Sequence, residues 1–324
     1  MKLAKKLFTL ALTLALTLGL GAAALAADAE PTDQQTVAIE KKYVLVGDGV
    51  SPAETFTLEP VGSGVVTDGE ATSAPALGAI TGAAFAEGDA TAAGTAKNIT
   101  VALPAYEHVG VYEYTLREVA TAQTAGVLYF GSDIRLVVTV INGADGKLRI
   151  AAVHTEAVGE AKSGSFSNLY SAGTLSVQKT VTGNLGDKNK YFTFHVTLTG
   201  ETGKNYGEAY AVTGGSNAAN PSSVAVGETA VFYLRNGETI SIANLPYGVS
   251  YTVTEDAADG YTTTKTGDTG TINAAAQTAA FENNKTGPLD MGVALESLPY
   301  VLILCGVAAA AAVSLLRKRR SAED

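Results

Sequence analysis

The sequence predicts an all-β protein, and three observations lead there. Runs rich in Thr, Val, Tyr and Gly alternate apolar and polar residues; no stretch of useful length carries helical periodicity; and turn pairs stand between the runs at Asn142-Gly143, Asp145-Gly146 and Asn236-Gly237. Alternation with a period of two is the signature of a strand buried on one face, and Asn-Gly and Asp-Gly tolerate the backbone conformations that tight hairpin turns require.

Taken in chain order, the alternation marks strands at 37–46, 55–58, 111–119, 134–141, 148–154, 175–181, 191–199, 230–234, 239–242, 250–254 and 278–281. Residues 61–97 are mostly Ala, Gly, Thr and Ser, and this segment reads as a long loop with at most one short strand. The ends read differently. Lys2, Lys5 and Lys6 precede an apolar run over 7–20, and Ala24-Leu25-Ala26 fits a small-x-small cleavage site, so 1–27 reads as a secretory signal. Residues 298–316 are uncharged and about as long as a membrane-spanning helix, and Arg317, Lys318, Arg319 and Arg320 follow, which places the C-terminus in the cytoplasm and the bulk of the chain outside.

The formal net charge is −10 even with the lysine-rich leader and the basic tail counted. An acidic body argues against nucleic acid and anionic lipid as partners. The single cysteine, Cys305, lies in the C-terminal apolar run, so an exported chain must be stabilised without disulfides. His108, His154 and His195 show no metal-ligand spacing, and neither a phosphate-binding glycine loop nor a serine-nucleophile elbow occurs, so no metal, cofactor or turnover chemistry is implied.

The strand L-S-V-Q-K-T-V over 175–181 holds the main anomaly. Leu175, Val177, Lys179 and Val181 share one face, so a lysine stands in the apolar row; Lys41 does the same among Val37, Ile39, Tyr43 and Leu45. An unpaired ammonium beneath a core costs several kcal/mol, and such a lysine is normally paired, neutral or chemically used. An internal repeat supplies companions. Tyr114 to Glu118 returns as Tyr251 to Glu255, and Phe166-Ser167-Asn168 returns as Phe281-Glu282-Asn283. Each half therefore reads Lys, Glu, Asn, with Lys-to-Glu separations of 77 and 76 residues and Glu-to-Asn separations of 50 and 28. The shorter last interval suggests that the second half lacks a strand pair, and a boundary falls near Ser171–Gly173 with a linker too short for free motion.

All six residues lie on apolar rows by parity. Desolvation favours a neutral amine beside a neutral acid, and such an amine can attack a carboxamide carbon while the acid polarises the carbonyl and carries protons as ammonia leaves. The product is a Lys–Asn isopeptide bond, made once per molecule, with Glu118 and Glu255 as catalytic residues. Fixed proximity can supply ~7–11 kcal/mol of the barrier. Lys41 and Asn168 stand 127 residues apart. By analogy with a disulfide, closing a loop of that size constrains the unfolded chain by about 4–5 kcal/mol. The alternative of ordinary buried ion pairs stays open here, although recurrence of the whole set in order weighs against it.

At these residues the chain resembles the major shaft subunits of sortase-assembled pili in Gram-positive bacteria, with streptococcal-type pilin isopeptide-linkage domains. The stretches that carry the likeness are L-S-V-Q-K-T-V-T-G, N-L-P-Y-G-V-S-Y-T-V-T-E-D and G-V-A-L-E-S-L-P-Y. The resemblance implies two immunoglobulin-like β-sandwiches in tandem, over 28–172 and 173–286, followed by a sorting region over 287–324. It implies self-formed bonds from Lys41 to Asn168 and from Lys179 to Asn283. Its partners would be a sortase, neighbouring pilin subunits, peptidoglycan or a basal or tip pilin, and a host ligand if there is one. Lys162 stands where such pilins carry the lysine that joins the next subunit; the alternative is one more exposed lysine. The sorting motif departs from the family pattern L-P-x-T-G: Pro288-Leu289-Asp290-Met291-Gly292 occupies its place, with Met291 where threonine belongs. Either a specialised sortase cuts between Met291 and Gly292, or cleavage fails and the protein stays in the membrane. The rival functional reading is a surface adhesin or stalk that never polymerises.

Overall fold

The computed structural model of the chain describes residues 34–119, 122–288 and 298–320. The expected signal at 1–27 and the expected cleavage residues Met291 and Gly292 lie outside them. In chain order the first half holds β1 (Thr36–Gly47), β2 (Glu54–Pro60), β3 (Val65–Gly69), β4 (Ile80–Thr81), β5 (Ala83–Phe85), β6 (Thr95–Ala102), β7 (Gly110–Val119), β8 (Val127–Leu128), β9 (Ile134–Asn142) and β10 (Leu148–Ala157). A strand of 18 residues, β11 (Ser165–Thr182), follows. The second half holds β12 (Phe192–Thr199), β13 (Tyr210–Gly214), β14 (Ser223–Val224), β15 (Thr229–Leu234), β16 (Thr239–Pro246), β17 (Ser250–Glu255), β18 (Thr262–Thr266), β19 (Thr269–Thr271) and β20 (Ala276–Asn284), and one helix, α1 (Leu298–Arg320), ends the described chain. The all-β expectation stands, and every strand marked by alternation falls on an observed one.

Two clusters of buried apolar residues divide the β region. The first joins Ile39 and Tyr43 of β1 and Phe166 and Tyr170 of β11 to Phe56, Leu116, Ile134 and Leu136 of a facing sheet ordered β10-β9-β7-β2-β5. The second joins Leu175 and Val177 of β11, Ile240 of β16 and Phe281 of β20 to Phe194, Phe232 and Val253 of a facing sheet ordered β15-β12-β17-β19. Each half thus packs one sheet on another around alternating inward residues.

β11 belongs to both halves. Its first part pairs in parallel with β1, and its second part pairs in parallel with β20 and antiparallel with β16. The expected linker at Ser171–Gly173 is therefore corrected: those residues are the middle of a continuous strand. Ala172 and Gly173 are both buried, so the inward face changes parity there, and the pairing with β16 shifts register between Gly173 and Leu175. A Cβ on Gly173 would lie 2.1 Å from the Ala274 carbonyl oxygen, so only glycine fits this shift.

Three further expectations change. The segment 61–97 carries β3, β4, β5 and the start of β6, because Ala, Thr and Gly leave little hydrophobic alternation even where the backbone is paired. Among the described residues the second half lacks one strand rather than a pair: β18 pairs with the asparagine strand as β8 does, β19, of 3 residues, pairs with the glutamate strand as β9, of 9, does, and β10 has no counterpart. At 298–316 a helix forms, but among the described residues no helix is long and apolar enough to cross a membrane, so the C-terminal anchor is not supported.

Phe232 is fully buried in the second core, where nothing can collapse inward cheaply. Phe232→Ala is expected to destabilise that half by about 3–5 kcal/mol. The check is its denaturant midpoint, with the fluorescence of tyrosines in the first core as an internal reference that should not move.

Candidate functional site

The two lysines reach the same kind of place by the same register. In the parallel pair β1–β11, Lys41 is opposite Phe166 and Tyr43 is opposite Asn168. In the parallel pair β11–β20, Lys179 is opposite Phe281 and Val181 is opposite Asn283. In each half, then, the asparagine stands diagonally one step ahead of the lysine on the neighbouring strand and the same face, within reach of a long side chain. The glutamates come from the facing sheets: Glu118 from β7, level with Leu58 of β2, and Glu255 from β17, level with Phe194 of β12.

The side chains close on one another. Lys41 Nζ donates to Glu118 Oε2 and, at 2.7 Å, to Asn168 Oδ1; Asn168 Nδ2 donates to Glu118 Oε1 at 2.5 Å. Lys179 Nζ donates to both Glu255 carboxylate oxygens at 2.9 Å, and Asn283 Nδ2 donates to Glu255 Oε1. Lys41 is 2% exposed, and Lys179, Asn168 and Asn283 are 0% exposed, so water cannot screen either set. Aromatic rings complete the walls. Lys41 Nζ lies 5.4 Å from the Phe56 ring centre and 5.5 Å from that of Phe130; Lys179 Nζ lies 4.3 Å from Phe192 and 5.7 Å from Phe194.

Burial holds both lysines below the ordinary amine range, against the opposing pull of Glu118 on Lys41 and of Glu255 on Lys179. An amine released from its proton in an apolar enclosure is a nucleophile. The arrangement places each carboxylate on the carboxamide nitrogen, not on the carbonyl oxygen where sequence reasoning put it. The glutamate is thereby suited to carry a proton to departing nitrogen. Among the described residues, no group of three or more His, Cys, Asp or Glu could hold a metal ion.

Six sequence-derived residues therefore fall into two sets of three, Lys41–Glu118–Asn168 and Lys179–Glu255–Asn283. Lys162 is elsewhere: it is exposed, and its backbone forms an isolated bridge with Glu156 beside β10. Sequence reasoning missed the aromatic walls. Phe192 and Phe194 could have been found, since they alternate inward in a predicted strand; Phe130 could not, because it follows β8 in irregular backbone and contributes its peptide N–H, 2.8 Å from Asn168 Oδ1.

Comparison with known proteins adds an independent line. Residues 37–171 match the family described as Spy0128-like isopeptide containing domain, and residues 173–285 match a domain of unknown function, DUF7601. The chain is similar to a pilin of Streptococcus pyogenes serotype M1, with 29% identity over 242 residues that cover 67% of this chain and 69% of the relative. It is also similar to the pilus tip adhesin Cpa of Streptococcus pyogenes, with 33% identity over 118 residues, which cover 34% of this chain and only 16% of the adhesin. Among solved structures, the major pilin from Streptococcus pyogenes superposes with a TM-score of 0.52 at 25% identity, covering 79% of this chain and all of the pilin.

Because burial depresses both lysines, an unreacted folded chain binds fewer protons than the unfolded chain between the lowered values and the ordinary 10.5. Stability then rises with pH through that window. With Asn168→Ala and Asn283→Ala combined, so that both amines persist, the denaturant midpoint should climb as pH rises toward the ordinary lysine value of 10.5. Adding Lys41→Met and Lys179→Met should flatten the slope; equal slopes would show that neither amine is depressed.

Proposed function

We propose that this chain, similar to pilins and matching the Spy0128-like isopeptide containing domain over residues 37–171, is a pilus backbone subunit of two tandem immunoglobulin-like domains, 28–172 and 173–286, each bolted by a self-formed Lys–Asn isopeptide bond. Its relatives are structural pilins, not enzymes. The observation that carries the reading is the repeated register: in both halves a buried lysine stands one diagonal step from a buried asparagine on a parallel neighbour, under a glutamate from the facing sheet.

The reaction follows from the contacts. The neutral Nζ of Lys41 attacks Cγ of Asn168, a C–N bond forms, and the Cγ–Nδ2 bond breaks. Glu118 takes a proton from the attacking amine and gives it to Nδ2, which leaves as ammonia; Lys179, Glu255 and Asn283 repeat the sequence. Each glutamate ends as it began, and no other reactant enters.

Between subunits, a sortase would join the C-terminal region of one chain, cut at Met291–Gly292, to Lys162 of the next. The exposure of Lys162 at the side of β10 supports that role, since a linking amine must be reachable by a large enzyme. A surface adhesin that does not polymerise is the second reading, and the similarity of 118 residues to a pilus tip adhesin favours it.

Intact mass tests the internal bonds. The purified body should fall short of its sequence mass by two ammonias, and Glu118→Ala and Glu255→Ala should each restore one; full sequence mass in the parent protein would refute the bonds. Wall extracts test assembly. A ladder of heat-stable oligomers is expected and should vanish in Lys162→Ala, whereas a single species in the parent strain would favour the adhesin.

A further inference from the structure

The two sites differ at the carboxamide oxygen. Asn168 Oδ1 accepts from Lys41 Nζ at 2.7 Å and from the backbone N–H of Phe130 at 2.8 Å. Asn283 Oδ1 is buried with no hydrogen-bond donor among the described residues, and Lys179 is held by both oxygens of Glu255.

The difference has a topological cause. Beside Asn168, the neighbouring strand β8 pairs with β11 only at Leu169 and Tyr170 and then stops. Two residues beyond its end, the Phe130 N–H belongs to no ladder and turns to the side chain. The Phe130 ring, 5.0 Å from that of Phe166 on β11, fixes this stretch of backbone. Beside Asn283, the neighbouring strand β18 runs in register straight past the site, with Thr263 opposite Asn283 and Thr264 opposite Glu282. Its N–H groups are committed to the ladder or turned away from it, and none is released to the carboxamide.

We propose that the Phe130 N–H is an oxyanion donor for the first cross-link and that the second lacks a counterpart, so the two bonds form at different rates, Lys41–Asn168 first. This rests on the cross-linking reading above. As Nζ of Lys41 adds to Cγ of Asn168, the carbonyl oxygen gathers negative charge, and a fixed donor already at hydrogen-bond distance stabilises that charge without reorganisation. At Asn283 the charge develops against an apolar enclosure, and Lys179 must also leave a bidentate carboxylate before it can attack. Loss of one preorganised oxyanion donor typically slows such reactions by about 10²–10³-fold.

The test follows both bonds in one chain. The full chain is made by pulse-labelled cell-free synthesis and quenched in acid at intervals, and the cross-linked peptides containing Lys41–Asn168 and Lys179–Asn283 are quantified by mass, each timed from the moment its half becomes protease-resistant. The first is expected to form faster by on the order of 10². Phe130→Pro removes the N–H and should slow the first bond toward the rate of the second, while Phe130→Leu keeps the N–H and the faster rate. Equal rates in the parent chain, a faster second bond, or an unslowed first bond in folded Phe130→Pro would each overturn the proposal. Should Phe130→Pro fail to become protease-resistant, the parent-chain rates decide alone. If neither peptide ever forms, it is the cross-linking reading itself that falls.

Discussion

An amine taken out of water and set beneath two apolar sheets is the constraint from which the rest of this molecule follows. Moving an isolated ammonium into such a place costs more than any single packing contact returns, and a lone carboxylate partner recovers that cost only with good geometry and every remaining hydrogen satisfied. Lys41 and Lys179 are given more than a lone partner. Each lies on aromatic rings, faces one glutamate, and stands beside an asparagine whose own nitrogen is spent on that same glutamate. A simple ion pair would need no carboxamide, and a pair retained for specificity alone would not recur at the same register in two cores with different surroundings. The third residue supports the proposal that the amine reacts with it.

That requirement dictates topology. A lysine and an asparagine can meet side by side under a core only if their strands are neighbours, and only a parallel pair lets the opening strand of a half and its closing strand run the same way. Parallel neighbours need long crossovers, and in both halves the whole facing sheet is built within that crossover. Glu118 and Glu255 lie in it, so the acid arrives from the opposite layer and closes the triad from above. Sharing β11 between halves then places Asn168 and Lys179 on one strand, and the parity change at Ala172 and Gly173 lets both face inward, each into its own core.

Much of this was legible in the residues because burial on a strand is written as parity. Lys41, Lys179, Glu118, Asn168 and Asn283 could be assigned to apolar rows before any coordinate was known, and the internal repeat joined them into sets. What was not legible has physical reasons. The strands between 61 and 97 are built of Ala, Thr and Gly, whose pairing is through backbone and leaves no hydrophobic trace. The face change at Gly173 looked like a linker because one unit of the repeat ends and the next begins there, whereas the role of Gly173 is to let a backbone carbonyl approach. The side of the carboxamide that each glutamate touches depends on a rotation that sequence does not encode. The Phe130 donor is a peptide N–H, present at every residue but proline, and only the early end of β8 makes it available.

The proposed covalent closure of these sets would change which contacts bear load. Pulled from its two ends, an uncross-linked β-sandwich yields when its first and last strands part, and the parallel ladders β1–β11 and β11–β20 are the ones that would be sheared. With Lys41 bonded to Asn168 as proposed, a pull applied at β1 would pass straight into β11, with the strands in between an unloaded loop, whereas a pull applied at Lys162 would enter β11 directly. A bond between Lys179 and Asn283 would carry it from β11 to β20 in the same way. The segment of β11 between Asn168 and Lys179 would then bear tension as plain polypeptide in line. It holds no loop that could pay out length, and it is flanked by β16 and β20 over its second part. A linker at this point, as the sequence alone suggested, would have been the compliant link in series with two stiff ones; a continuous strand removes it.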